Sequence, residues 1–256
     1  MNDRKNLLIL AGMLALAITG AQASEIASET PVPVLLELFT SEGCSSCPPA
    51  DRLLQVFDKT QPFANARLIV LSEHVDYWDG LGWKDPYSSM KFTDRQGDYG
   101  HRFHLDGIYT PQLVVDGRFE LVGSHGGEAR EAIERALRET KVPVAISVSQ
   151  LQGNEIPIRV SVSPLPTGAG DGTVFLALAE DHTQTRVQRG ENAGRTLSHV
   201  AVVRALIRVG PITGGASFSR DVNVPAPNGA AHPVRIVAFV QDNSTGHVLG
   251  VAQQEN

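Results

Sequence analysis

The sequence predicts an α/β domain over residues 24–142, with element order β-α-β-α-β-β-α, followed by an all-β antiparallel sandwich over residues 143–256. Two observations lead there. Before Lys141-Val142-Pro143 the chain alternates strand-like with helix-like segments, whereas beyond it Val, Ile, Ser, Thr, Pro and Gly dominate and one segment alone keeps helical spacing. The only two cysteines, in Cys44-Ser45-Ser46-Cys47, fall where the first apolar run meets the first helical one.

The elements follow from local chemistry. Residues 32–39 are a short apolar run that fits a buried strand. Pro48 and Pro49 suit a first helical turn, where their missing N–H groups would have no partner, and Ala50 to Lys59 places Leu53, Leu54 and Phe57 at helical spacing. Arg67 to Ser72 reads as a second strand, which closes a βαβ unit with the cysteines at its first βα junction, the edge where open α/β sheets place their chemistry. Tyr87 to His101 is compatible with a helix despite Gly97 and Gly100. Two strands around Asp116-Gly117, spanning Tyr109 to Gly123, make a hairpin. Glu128 to Thr140 closes the domain with an apolar stripe of Ala132, Ile133, Ala136 and Leu137. In the second half, runs beginning at Val144, Ile156, Thr173, Phe218, Val234 and Val248 alternate as strands between Pro, Gly and Asn clusters, and Asp242 to Gly246 turns the last hairpin.

The N-terminus reads as a secretory signal over residues 1–23: a charged start, an apolar core from Leu7 to Ile18, and Ala21-Gln22-Ala23 before Ser24. Export to the periplasm or the medium follows, and with it an oxidising compartment. Cleavage leaves 233 of the 256 residues, enough to bury two cores. It also removes Asp3, Arg4 and Lys5, leaving 20 basic against 27 acidic residues. That acidic balance disfavours nucleic acid and anionic lipid as partners. No later apolar run is long enough for a stable membrane span.

A C-x-x-C pair with no other thiol points to reversible redox chemistry. Stapling is a poor reason to place both cysteines there, because a four-residue loop gains only about 2 kcal/mol from closure, less than any longer loop. The first sulfur, beside a helix N-terminus, is the candidate nucleophile and the more exposed one; Cys47, one turn on, is the candidate resolving thiol. Partners are then protein or small-molecule thiols and disulfides, with no cofactor. Ser45 and Ser46 offer hydroxyl donors to a thiolate, and Glu42 opposes it if close. Glu37, inside the first strand, is a carboxylate that must be paired or protonated.

This element order resembles the thioredoxin fold, and Thr110-Pro111 looks like the cis-proline that faces the C-x-x-C in that superfamily. Glu73-His74-Val75-Asp76-Tyr77-Trp78-Asp79, Leu81-Gly82-Trp83 and Arg189 to Leu197 are similar to a bacterial family of secreted, thioredoxin-like proteins of undefined function. The resemblance implies that Thr110 and Pro111 position a partner, and that Glu37 acts as a proton relay, although it departs by one residue in spacing from the first cysteine. A salt-bridged Glu37 is the alternative.

Other features keep two readings each. The aromatic segment from Glu73 to His104 is either a substrate-facing wall or an insert held by its own rings. The loop Arg186 to Ser198 either reaches the thiols or caps a sheet end. His74, His101 and His104 sit among aspartates, yet no metal site is assigned; Met90, the one methionine left after cleavage, argues against copper delivery. The rival functions are therefore a non-enzymatic binding module with a structural disulfide and, behind it, metal delivery.

Overall fold

The computed structural model describes residues 30–150, 152–225 and 234–254, so the segment read as a signal peptide lies outside the described residues. The described residues from Pro31 onward belong to one compact unit. Its elements run β1 (Val32–Thr40), α1 (Pro48–Thr60), β2 (Ala66–His74), α2 (Met90–Arg102), β3 (Gln112–Val115), β4 (Phe119–Val122) and α3 (Gly126–Ala136). There follow β5 (Val144–Val148), β6 (Glu155–Val162), β7 (Gly172–Arg186), β8 (Thr196–Ile212), β9 (Phe218–Pro225), β10 (Val234–Asp242) and β11 (Val248–Gln253).

The expected fold class is corrected by the sheet. The chain is not an α/β domain of thioredoxin type followed by a separate antiparallel sandwich; it is mostly β, with three α-helices among the described residues and one mixed eight-stranded sheet ordered β11-β10-β7-β8-β2-β1-β3-β4. Strands from both halves of the sequence share it. The joint is a parallel bridge, Ser72 to Val202, between β2 and β8. Without β8, the outer edge of β2 would present unpaired N–H and C=O groups, which a buried strand cannot leave unmet.

β8 was not expected, and no helix follows Ala136 among the described residues. Its 17 residues pair antiparallel with the 15 of β7, and the pairing register shifts between Val174 and Phe175 and again between Leu178 and Ala179. Such shifts interrupt the period of two on which strand recognition rests. The first half of β7, residues 172–179, is also buried on both faces. Val174, Leu176 and Leu178 join one core, covered by the three-stranded sheet β5-β6-β9, while Phe175, Ala177 and Ala179 join the core under the helices.

α2 starts at Met90 rather than Tyr87 because the Ser89 side chain accepts from the Lys91 N–H at 3.3 Å. The Asp116-Gly117 turn has both residues at positive φ, 50° and 62°, and closes with the Arg118 N–H donating to Val115 O at 2.9 Å; because Val115 pairs with Phe119, the loop is three residues long. Asp116 also links distant strands: its Oδ1 accepts from the Leu35 N–H at 2.9 Å, its Oδ2 from Lys141 Nζ at 2.5 Å, and its carbonyl from the Val248 N–H at 2.8 Å.

Candidate functional site

β1 ends at Thr40 and a turn through Glu42 and Gly43 delivers Cys44, whose N–H donates to Ser41 O at 3.2 Å. Cys47 is the N-cap of α1, with Pro48 and Pro49 as its first helical residues. The two cysteines form a disulfide with Cα atoms 5.5 Å apart, and no free cysteine is present.

Thr110 and Pro111 come to the same place. Ser46 Oγ lies 3.3 Å from Cys44 Sγ and donates to Thr110 O at 3.4 Å, while Trp78 Nε1 donates to Thr110 Oγ1 at 2.8 Å. The Thr110–Pro111 peptide is cis. Gly123 makes room for this contact, since a Cβ there would lie 2.7 Å from Leu38 Cδ1, 3.2 Å from Ala50 Cβ and 3.4 Å from Pro111 Cβ.

Cys44 is not the more exposed sulfur expected from its place before the helix. Both cysteines are fully buried, and Ser45 and Ser46 face solvent instead. The reason is the tip of the β7–β8 hairpin, which packs on this segment. Asn192, itself fully buried, donates from Nδ2 to both Glu42 O and Cys44 O at 2.9 Å and accepts from Arg195 at 2.8 Å. The Glu191 carboxylate accepts from the Ser45 N–H at 2.9 Å, and the Ser45 hydroxyl, then this N–H, lower its pKa. Gly190, at φ 75°, lies against Gly82 and Trp83, where a Cβ would come within 3.1 Å of Trp83 Cβ. Of the two readings of the loop from Arg186 to Ser198, the geometry matches the one that reaches the thiols.

Glu37 is placed elsewhere. Alternation along β1 turns Leu38 and Thr40 toward α1, where Thr40 Oγ1 donates to Asp51 at 3.0 Å, and turns Glu37 and Phe39 toward α2. There Glu37 accepts from Arg95 Nε at 2.7 Å and from the Tyr99 hydroxyl at 2.6 Å. Arg95 also faces Glu73 at 3.6 Å. Burial, and then the nearby Glu37 charge, holds the Glu73 carboxyl well above its ordinary range. This face reads as the salt-bridged alternative for Glu37.

On the α1 face lies a second buried polar cluster that sequence reasoning did not assemble. His199 of β8 sits between Glu42 and Asp51, with Nε2 3.4 Å from Glu42 Oε1 and Nδ1 3.6 Å from Asp51 Oδ1. Burial pulls its pKa down, but the Asp51 and Glu42 carboxylates outweigh this and hold it up to about 10. Trp83 Nε1 donates to Glu42 Oε2 at 2.9 Å, and Asp85 accepts from the Glu42 N–H at 2.8 Å while lying 2.7 Å from His74 Nδ1. Burial pushes Asp85 up, yet His74 and two backbone N–H groups bring it below its ordinary value. Asp51 was within reach of sequence reasoning, since it stands four residues after Cys47 on a helix; His199 carried no local signal.

Among the described residues, no three His, Cys, Asp or Glu side chains are grouped to hold a metal ion. No helix among them is long and apolar enough to cross a membrane.

A family model described as "Protein of unknown function (DUF1223)" matches residues 35–241. The chain belongs to the DUF1223 family. The match spans the cysteine pair, the aromatic segment and the β7–β8 hairpin, so this DUF1223 chain carries its whole candidate site within the family region. No curated protein matches it. A solved protein from Agrobacterium tumefaciens is similar at 28% identity and TM-score 0.64, covering 87% of this chain and 94% of that one. HBP35 of Porphyromonas gingivalis is similar in fold, at 13% identity and TM-score 0.57, covering 88% of this chain and 75% of its own.

Proposed function

We propose that this DUF1223 chain is an exported thiol–disulfide oxidoreductase, with Cys44 as nucleophile and Cys47 as resolving thiol. The observation that carries the reading is the disulfide between the chain's only two cysteines at the N-terminus of α1. A substrate thiolate attacks Cys44 Sγ, the bond's electron pair leaves on Cys47, and a second substrate thiol displaces Cys44 from the mixed disulfide. The protein gains two electrons and the substrate leaves as a disulfide. Run in reverse, the same pair reduces. Thr110, whose carbonyl accepts from Ser46 Oγ, and Pro111, which follows it through a cis peptide, are suited to position the partner chain. Export rests on the signal read in residues 1–23, and an oxidising compartment suits a pair held as a disulfide.

Complete burial of both cysteines favours a second reading, a binding module whose disulfide is a permanent clamp. Equilibration of the mature protein with glutathione buffers separates the two. The oxidoreductase reading expects a potential within reach of the buffer and partners trapped as mixed disulfides by Cys47→Ser. A pair that resists reduction throughout, together with no trapped partner, supports the clamp.

A further inference from the structure

Thiol exchange at Cys44–Cys47 needs a proton source for the resolving sulfur, and Glu37 faces the other side of the sheet. We propose that Asp51 and His199 form the proton path to Cys47, with His199 recharged from a solvent cleft between α1 and the β7–β8 pair. The path serves the oxidoreductase reading above and rests on it.

Cys47 and Asp51 stand one turn apart on the same face of α1, joined by the Asp51 N–H donating to Cys47 O at 3.1 Å. Both are buried. His199 follows at 3.6 Å from Asp51 Oδ1, and neither of its nitrogens makes a hydrogen bond; Glu42 Oε1 on its far side lacks one too. A buried structural histidine normally has hydrogen-bond partners. Here a charged ring is held between two carboxylates at ion-pair distances without well-formed hydrogen bonds, which places its Nδ1 proton toward Asp51. The other groups facing it are His74 of β2, at 4.7 Å between ring centroids and backed by Asp85, and Tyr87, at 6.2 Å.

His199 also lines a cleft of about 730 Å³ bounded by Lys59, Asp58, Gln55, His182, Thr183 and Arg235. Arg235 is paired with Asp58 and Asp181, and Thr183 Oγ1 is buried without a partner. This polar cleft borders the buried ring and is the side from which a proton would reach it. His199 stays protonated at neutral pH because Asp51 and Glu42 outweigh the cost of burial.

The step balances as follows. Attack on Cys44 Sγ sends the electron pair of the broken S–S bond to Cys47. Asp51 takes the Nδ1 proton of His199 and passes it to the Cys47 thiolate, and neutral His199 regains a proton from water in the cleft. In the reverse direction the path carries the Cys47 proton out, freeing the thiolate to resolve a mixed disulfide.

The test uses the mature protein, its His199→Gln and Asp51→Asn variants, and a mixed disulfide preformed on Cys44 with glutathione. The expected result is a resolution rate lowered on the order of 10²-fold in each variant, with a changed pH–rate profile. Unchanged profiles overturn the path while leaving the oxidoreductase reading intact. Failure of the wild-type chain to exchange with glutathione at all overturns both. Should the variants not fold, titration of His199 by NMR in the wild-type chain decides: different pKa values in the oxidised and reduced states support the path, and identical ones overturn it.

Discussion

Asn192→Ala is the substitution whose cost follows most directly from the structure. The side chain is fully buried and spends both protons of Nδ2 on Glu42 O and Cys44 O, each at 2.9 Å. Cys44 O keeps a second, weaker contact from the Cys47 N–H at 3.3 Å, whereas no other hydrogen bond reaches Glu42 O. Two lost bonds cost roughly 1–3 kcal/mol together, and one carbonyl left buried without a partner adds about 1–3 kcal/mol. The expected destabilisation is therefore about 2–6 kcal/mol, read as a lowered urea midpoint at constant m-value. A second readout concerns the thiols. Because the hairpin tip is bonded to the Cys44 segment and both cysteines are buried, reduction by dithiothreitol should need this segment to loosen, and removing about 2 kcal/mol of the tip's attachment should speed reduction roughly 30-fold. A loss under about 0.5 kcal/mol with an unchanged reduction rate would show that the tip does not hold the Cys44 segment.

Three further outcomes follow from the buried charges. The pKa of His199 is raised to about 10, so its contribution to stability is fully present below its ordinary value near 6.5 and lost as pH rises through about 10; urea midpoints of His199→Gln should fall less than those of the wild-type chain over that window. Lys141→Met leaves Asp116 buried without its ammonium partner and should cost about 3–5 kcal/mol by urea unfolding, recovered in part by the double variant with Asp116→Asn. Arg95→Met strands Glu37 beside Glu73, whose carboxyl burial already keeps high; a similar loss of about 3–5 kcal/mol by urea unfolding is expected.

What could be read from the chain was local. The Asp116-Gly117 turn, the proline-started helix after Cys47 and the apolar runs of β1, β2, β7 and β10 each declare themselves within a few residues, because φ/ψ limits and side-chain periodicity act at that range. The cysteine pair belongs to the same class, being two sulfurs one helical turn apart. Tertiary structure decided the rest. That Ser72 meets Val202, merging both halves into one sheet, depends on which distant strand satisfies the free edge of β2, and no local period encodes that choice. The same docking brings Asn192 to Cys44 and His199 to Asp51 from about 150 residues away. Glu37 shows the boundary within a single residue: its period along β1 was legible, but which face α1 would cover was not, and that alone separates it from the thiols.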